Sequence, residues 1–122
     1  MTTYDELAQH YIDTWNETDP DARRAAVDRL YTEDARYVDP LVEATGREQI
    51  AASIGAVQAQ FPGFAFRLAG PVDGHHGQAR FGWELGPVGE FAPIAGFDVV
   101  LTDAAGRMTS VLGFLDRVPA AV

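Results

Sequence analysis

The hydrophobic pattern of this chain changes its period once, near Pro62 and Gly63. Before that point, apolar residues mostly recur every three or four positions, which is the spacing of amphipathic helices. After it, they alternate with polar or small residues, which is typical of antiparallel strands. Three helices followed by a meander of strands predict an α+β fold, with the helices on one side of a curved, mainly antiparallel sheet. We expect a pocket between these two layers.

The predicted element order is helix, helix, short strand, helix and then four strands. The first helix is expected over residues 4 to 17, and the second follows the N-cap pair Asp19-Pro20. A short strand over 35 to 40 ends at its proline, and Gly46 opens the third helix. The strands of the meander are expected from Phe64, over 80 to 85, within 90 to 102, and from Arg107 to Leu115.

Composition and charge describe one acidic domain, residues 1 to 122. Acidic residues outnumber basic ones 18 to 9, and the net charge of -9 repels phosphate backbones and anionic lipid. We therefore expect neither a nucleic acid nor a membrane as a partner. The absence of cysteine excludes disulfides and cysteine-ligated metals. The first residues show no basic or apolar leader pattern, so a cytoplasmic location is expected.

One carboxylic acid interrupts the apolar run Phe97-Asp98-Val99-Val100-Leu101. Aspartate is depleted in strand interiors, and a buried carboxylate is costly unless it is paired or takes up a proton. Asp98 shares its face of the strand with Val100, whereas a face turned to solvent would be polar throughout. We therefore expect Asp98 to lie in a pocket, where a neutral carboxylic acid can donate a hydrogen bond.

Other candidate residues have strong structural alternatives. Asp39 precedes Pro40, and Asp-Pro pairs commonly begin turns in which the carboxylate accepts backbone hydrogen bonds. Tyr11 occupies an inward position of the first helix, where a tyrosine most often packs in the core. A further set of aromatic residues fits either a core or the wall of an apolar pocket. These residues are Trp15, Phe66, Phe81 and Trp83.

The sequence offers no metal-ligand cluster, phosphate-binding glycine loop or Ser-His-Asp set. His75 and His76 are adjacent in a turn flanked by glycines, so we expect them at a solvated hairpin tip rather than around a metal. Any catalysis is therefore expected to be acid-base chemistry that needs neither a metal nor a cofactor.

Several short stretches resemble the nuclear transport factor 2-like cone fold, and within it the ketosteroid isomerase and SnoaL-like polyketide cyclase branch. The resemblance covers nearly the whole chain and implies a cone-shaped fold around an apolar pocket, with homodimers formed through the sheet. The matching stretches are Tyr11-Ile12, Leu30 to Ala35 leading to Asp39-Pro40, Gly46 to Ile50, and Asp98 eight residues before Gly106-Arg107.

The resemblance implies a role for three residues. In ketosteroid isomerase-like enzymes the aspartate before the proline shuttles the proton, which gives that role to Asp39. Tyr11 and Asp98 match the pair that binds the oxyanion, and this enzyme is the standard example of a carboxylic acid held neutral by an apolar site. In SnoaL-like cyclases an aspartate of the sheet is the acid-base group for ring closure, which would give the leading role to Asp98 instead.

Some positions depart from the family pattern. Tyr31 keeps a position where some isomerases have a second tyrosine, whereas Ile54 stands where they carry another, and we expect both residues at the pocket. Between Tyr11 and Tyr31 the chain runs longer by about one helical turn, roughly four residues, which argues against a steroid substrate. Gly113 stands where limonene epoxide hydrolases place an aspartate, so that chemistry ranks lower.

Two functions are therefore expected from the sequence. The first is an isomerase or cyclase that acts on a small, largely apolar substrate containing a carbonyl group. The alternative is a domain of the same fold that binds a small molecule or serves another protein without catalysis, because a fold alone does not establish an activity.

Overall fold

Three helices and a six-stranded sheet make up the part of the chain that the computed structural model describes, residues 3–119. The elements are α1 (Tyr4–Asn16), α2 (Pro20–Leu30), β1 (Tyr31–Val38), β2 (Glu43–Thr45), α3 (Arg47–Gln60), β3 (Phe64–His75), β4 (Gln78–Pro87), β5 (Ile94–Thr102) and β6 (Met108–Arg117). The strand order is β2-β1-β6-β5-β4-β3. Neighbouring strands are antiparallel except β1 and β6, which are parallel. The predicted α+β class is confirmed.

The predicted element order is incomplete around the first strand. β1 begins at Tyr31, directly after α2, rather than near Ala35. Strand β2 was not expected, and it pairs antiparallel with β1 through Ala44 opposite Tyr37. A three-residue strand is too short to show a period in the sequence, because alternation becomes a signal only over about four to eight residues.

Local signals in the sequence fix where the helices begin. The Thr3 side chain accepts a hydrogen bond from the Glu6 N–H at 3.1 Å, which caps α1. The predicted Asp19 cap of α2 is confirmed, since its carboxylate accepts from the Ala22 N–H at 2.8 Å. Gly46 precedes α3 with φ of 87°, a conformation that favours glycine. Within residues 3–119, none of the helices is long and apolar enough to cross a membrane.

The helices cover one face of the sheet, and the central strand β5 shows this clearly. Gly96, Asp98 and Val100 are buried on the face that meets α1, whereas Phe97 and Val99 are half-buried on the opposite face. The expected alternation along this strand is therefore confirmed. It places the one carboxyl group of the buried face at the centre of the molecule.

The opposite face of the sheet exposes large apolar side chains. Leu112 and Phe114 are 39% and 56% exposed, and they pair across the sheet with Val99 and Phe97. A contiguous apolar patch of this kind commonly marks an interaction surface. The homodimer expected from the family resemblance would form here, and it stays a prediction.

We expect sedimentation equilibrium to give a dimer of the 13.2 kDa chain. Phe114→Arg should produce a monomer, because it would place two unpaired guanidinium groups in an apolar contact. Val88→Arg introduces the same charge in the turn after β4, at a residue that is 79% exposed, and should stay dimeric. A monomeric wild type, or a dimeric Phe114→Arg protein, would show that this face is not the interface.

Candidate active site

A buried hydrogen bond joins α1 to the centre of the sheet. The Tyr11 hydroxyl donates to Asp98 Oδ2 at 2.7 Å, between residues that are 87 positions apart in the sequence. Each of the two residues is only 2% exposed. Because a buried carboxyl group without a donor is costly, Tyr11 supplies the partner that Asp98 needs. The expected burial of Asp98 is confirmed.

An apolar cavity lies beside this pair, between the sheet and the helices α1 and α3. The volume open to the centre of a water molecule is about 110 Å³, against about 10–15 Å³ for one water, so a small organic molecule has room. Among the described residues, the lining includes no lysine, arginine or histidine. The same residues include no cluster of three or more histidine or carboxylate side chains arranged to hold a metal.

Tyr11, Asp39 and Asp98, the three residues expected to carry the chemistry, all line this cavity. The predicted wall is only partly right. Three of its six residues, Trp15, Phe66 and Trp83, line the cavity.

The other three predicted wall residues, Tyr31, Ile54 and Phe81, belong to the core instead. They are 0%, 0% and 1% exposed and are not among the described residues that border the cavity. Phe81 shows the reason, because the Tyr11 ring packs edge-on against its ring at 5.3 Å. Phe81 lies on the predicted face of its strand, but α1 covers it. The hydrophobic pattern of the sequence does not show where α1 packs.

Asp39 is fixed at the end of β1 by three hydrogen bonds. Its Oδ1 accepts from the N–H groups of Leu41 and Val42, each at 2.8 Å, and its Oδ2 accepts from the Tyr37 hydroxyl at 2.6 Å. The turn expected from the Asp39-Pro40 pair therefore exists, and it does not exclude a role at the cavity. The carboxylate accepts all three of these hydrogen bonds, so its orientation is fixed. The turn holds this group rigidly at the cavity wall.

Sequence reasoning did not assign Tyr37 to the site. The signal was present, since residues two apart on a strand share a face and Tyr37 is two positions before Asp39. Three residues near the end of the described chain, Leu115, Val118 and Pro119, also line the cavity. No motif marks them, because they reach the cavity through the position of β6 in the sheet.

Gly113 of β6 lies between the two aspartates. It pairs directly with Asp98 across the sheet. A Cβ built on Gly113 would lie 2.9 Å from Asp98 Oδ1 and 3.1 Å from Asp39 Cβ. The two acidic side chains therefore border one small space, which any side chain at position 113 would occupy. The glycine leaves that space open.

Burial gives Asp98 unusual acid-base properties. It is the main cause that raises the pKa of Asp98 from 3.8 to about 6. The donors Tyr11 and Trp83 oppose this rise, and the nearby charge of Asp39 adds to it. Burial, and then the charge of Asp98, also raise the pKa of Tyr11 well above its usual value, so its hydroxyl stays a donor. Asp98 can thus exchange a proton close to neutral pH, as acid-base catalysis requires.

The fold and the cavity define a class of protein, the nuclear transport factor 2-like cone. Within that class, the profile of the SnoaL-like domain matches residues 8–111, and the chain belongs to the SnoaL-like family. Among curated protein sequences, none matches the chain significantly.

Solved structures agree with this assignment. A SnoaL-like family protein from Agrobacterium tumefaciens strain C58, provisionally named an isomerase, is 43% identical, with 95% of this chain and 99% of that chain covered and a TM-score of 0.90. A provisionally named SnoaL-like polyketide cyclase from Jannaschia sp. CCS1 is 14% identical, covering 90% of this chain and 85% of its own, with a TM-score of 0.70. A nuclear transport factor 2-like protein of unknown function from Cytophaga hutchinsonii is 15% identical, with coverages of 95% and 92% and a TM-score of 0.70. The last two share only the fold with this chain.

The raised pKa of Asp98 predicts a specific dependence of stability on pH. The native state holds the Asp98 proton more tightly than the unfolded state, so the stability from Asp98 is complete below pH 3.8 and is lost as the pH rises through about 6. This loss amounts to about 3 kcal/mol. Asp98→Asn keeps the shape but carries no charge. Its free energy of unfolding relative to wild type should therefore rise by most of this amount between pH 4 and pH 8, as measured by urea unfolding. An equal difference at both pH values would show that Asp98 is not a buried titrating group.

Proposed function

We propose that the protein is an isomerase or cyclase that moves a proton at a carbon next to a carbonyl group of a small, neutral, largely apolar substrate. The observation that carries the proposal is the space over Gly113, which the side chains of Asp39 and Asp98 border inside an apolar cavity. Two carboxyl groups in different surroundings can act as acid and base in one reaction. Here burial raises the pKa of Asp98, whereas the carboxylate of Asp39 accepts hydrogen bonds from backbone N–H groups.

Asp39 is the better placed of the two to act as the base. It is half-buried, and its carboxylate is fixed by its turn and by Tyr37. In the proposed step the substrate carries a carbon–carbon double bond next to the carbon that loses the proton. Asp39 takes the proton, the electron pair of that bond forms a new carbon–carbon double bond, and the carbonyl electron pair moves onto the oxygen. Asp39 then returns the proton to the far carbon of the original double bond as the carbonyl re-forms, which completes an isomerisation with no change in overall composition.

In the same proposal, Asp98 and Tyr11 stabilise the oxygen that becomes negative. A protonated Asp98 donates its O–H to this oxygen, and the Tyr11 hydroxyl bonded to Asp98 supports it. In a cyclase the enolate carbon attacks a second carbonyl carbon of the same molecule, and Asp98 gives its proton to the new alkoxide. Both versions use the same cavity, and they differ in whether Asp39 or Asp98 leads.

The charge of the cavity limits the substrate. Two aspartates face the space where the reaction is proposed, and no basic side chain among the described lining residues offsets them. A phosphate or carboxylate group would be repelled there, because charges in an apolar cavity are poorly screened. Aromatic walls from Trp15, Phe66 and Trp83 favour a flat apolar molecule, and a carbonyl oxygen matches the donors.

Exchange of protons for deuterium next to a carbonyl tests the proposal without knowledge of the natural substrate. A panel of cyclic ketones and enones is incubated with the protein in D₂O, and the loss of the α-proton signal is followed by NMR. Asp39→Asn keeps an oxygen for the N–H groups of Leu41 and Val42, so it should fold normally. We expect it to slow the exchange by about 10²–10⁴-fold. Asp34→Asn, at an exposed carboxylate of β1, is the control and should leave the exchange unchanged.

The outcomes separate the alternatives. Exchange that survives Asp39→Asn and is lost in Asp98→Asn would transfer the role of base to Asp98. Binding of the panel with no catalysed exchange by the wild type would contradict the enzymatic proposal and favour a domain that only binds its ligand.

A further inference from the structure

The indole N–H of Trp83 is a buried donor that the proposed reaction leaves without a task. Its Nε1 atom is buried and makes no hydrogen bond of standard geometry within residues 3–119, although the indole already acts on Asp98 as a donor that lowers its pKa. The tryptophan N–H can only donate, and leaving such a group unpaired in a protein interior is destabilising. We therefore expect this N–H to have a hydrogen-bond acceptor in at least one protonation state of the protein.

The register of the sheet brings this indole toward Asp98. Trp83 in β4 lies directly opposite Gly96 in β5, so it is the diagonal neighbour of Asp98 on the same face. A Cβ built on Gly96 would overlap the Trp83 ring atoms Cζ2 and Cε2. Because Cε2 is bonded to Nε1, the N–H edge of the indole lies across β5 at the place that a side chain at position 96 would fill.

Asp98 still has a free position for a donor. Its Oδ2 accepts from Tyr11, whereas its Oδ1 accepts no hydrogen bond within residues 3–119. Two titratable groups act on Asp98, Tyr11 of α1 and Asp39 at the end of β1, and the charge of Asp98 in turn adds to the rise that burial causes in the pKa of Tyr31 and of Tyr37 on β1.

None of the groups on β1 serves as the second donor. The Tyr37 hydroxyl is engaged by Asp39. The Tyr31 hydroxyl makes no hydrogen bond to Asp98, and its pKa, which burial raises, is lowered by the nearby Trp15 indole. Among the described residues, the buried donors without a partner are Trp15 Nε1, Tyr31 Oη and Trp83 Nε1, and of these three only Trp83 acts on Asp98 as a donor.

We propose that Trp83 is a positioning residue that donates its indole N–H to the carboxylate of Asp98 whenever that group is ionised, and that Gly96 makes room for it. This inference rests on the proposed use of Asp98 as an acid-base group. With the proton on Asp98 the indole contact is weak, and with the proton removed it becomes a charge-assisted hydrogen bond. Such a donor stabilises only the ionised form, and it brings the pKa of a deeply buried carboxyl group into a range where the group can cycle.

A titration of Asp98 tests this inference without any substrate. The side-chain carboxyl carbon of Asp98, labelled with ¹³C, is followed by NMR against pH in three proteins. Trp83→Phe keeps an aromatic ring and removes the N–H, so the acid dissociation constant of Asp98 should fall about tenfold. Trp15→Phe makes the same chemical change in the same cavity, but at an indole near Tyr31, and should change this constant much less.

A second measurement uses the folded wild type, so it does not depend on the stability of a variant. As the pH rises, the NMR signal of the ¹⁵N-bound indole proton of Trp83 should move downfield, with the same midpoint as the titration of Asp98. The movement should disappear in Asp98→Asn.

An unchanged Asp98 dissociation constant in folded Trp83→Phe protein would overturn the inference, and so would an indole signal that ignores the Asp98 titration. If both linkages are observed and no ketone undergoes exchange, the role of Trp83 stands and the proposed function fails. The two claims are thus separable.

Discussion

The hydrogen bond from Tyr11 to Asp98 is the interaction on which the site depends. It pairs a carboxyl group that the sheet buries completely, and it ties α1 to the strand at the centre of the sheet. The same burial that makes this group costly also raises its pKa to about 6. An exposed aspartate could not hold a proton near neutral pH, so the destabilising placement of Asp98 and its chemical usefulness have one cause.

The strand topology then supplies the second carboxyl group. β6 pairs in parallel with β1 on one side and antiparallel with β5 on the other, so Val38 lies opposite Leu112, and Asp98 lies opposite Gly113. Asp39, directly after β1, therefore meets Asp98 across a residue without a side chain. Three neighbouring strands, rather than any contiguous motif, assemble the site.

The sequence predicted the parts of this arrangement that depend on local pattern. The change of period predicted the helices and the meander, and the misfit of Asp98 in an apolar run predicted its burial. The parallel pairing of β1 with β6 and the short strand β2 arise from contacts between distant segments, which leave no period in the sequence. Tyr31, Ile54 and Phe81 were misplaced for the same reason, because a core side chain and a cavity side chain show the same hydrophobic pattern until the helices are positioned.

Binding of a planar naphthol, a mimic of an enolate intermediate, reports on the proposed oxyanion site at Tyr11 and Asp98. Its ultraviolet spectrum reports whether the bound hydroxyl group shares its proton in a strong hydrogen bond. We expect the wild-type protein to shift the spectrum toward that of the naphtholate, and Asp98→Asn to lose the shift while it still binds the ring. An identical spectrum in both proteins, or no binding by either, would contradict an oxyanion site formed by Tyr11 and Asp98.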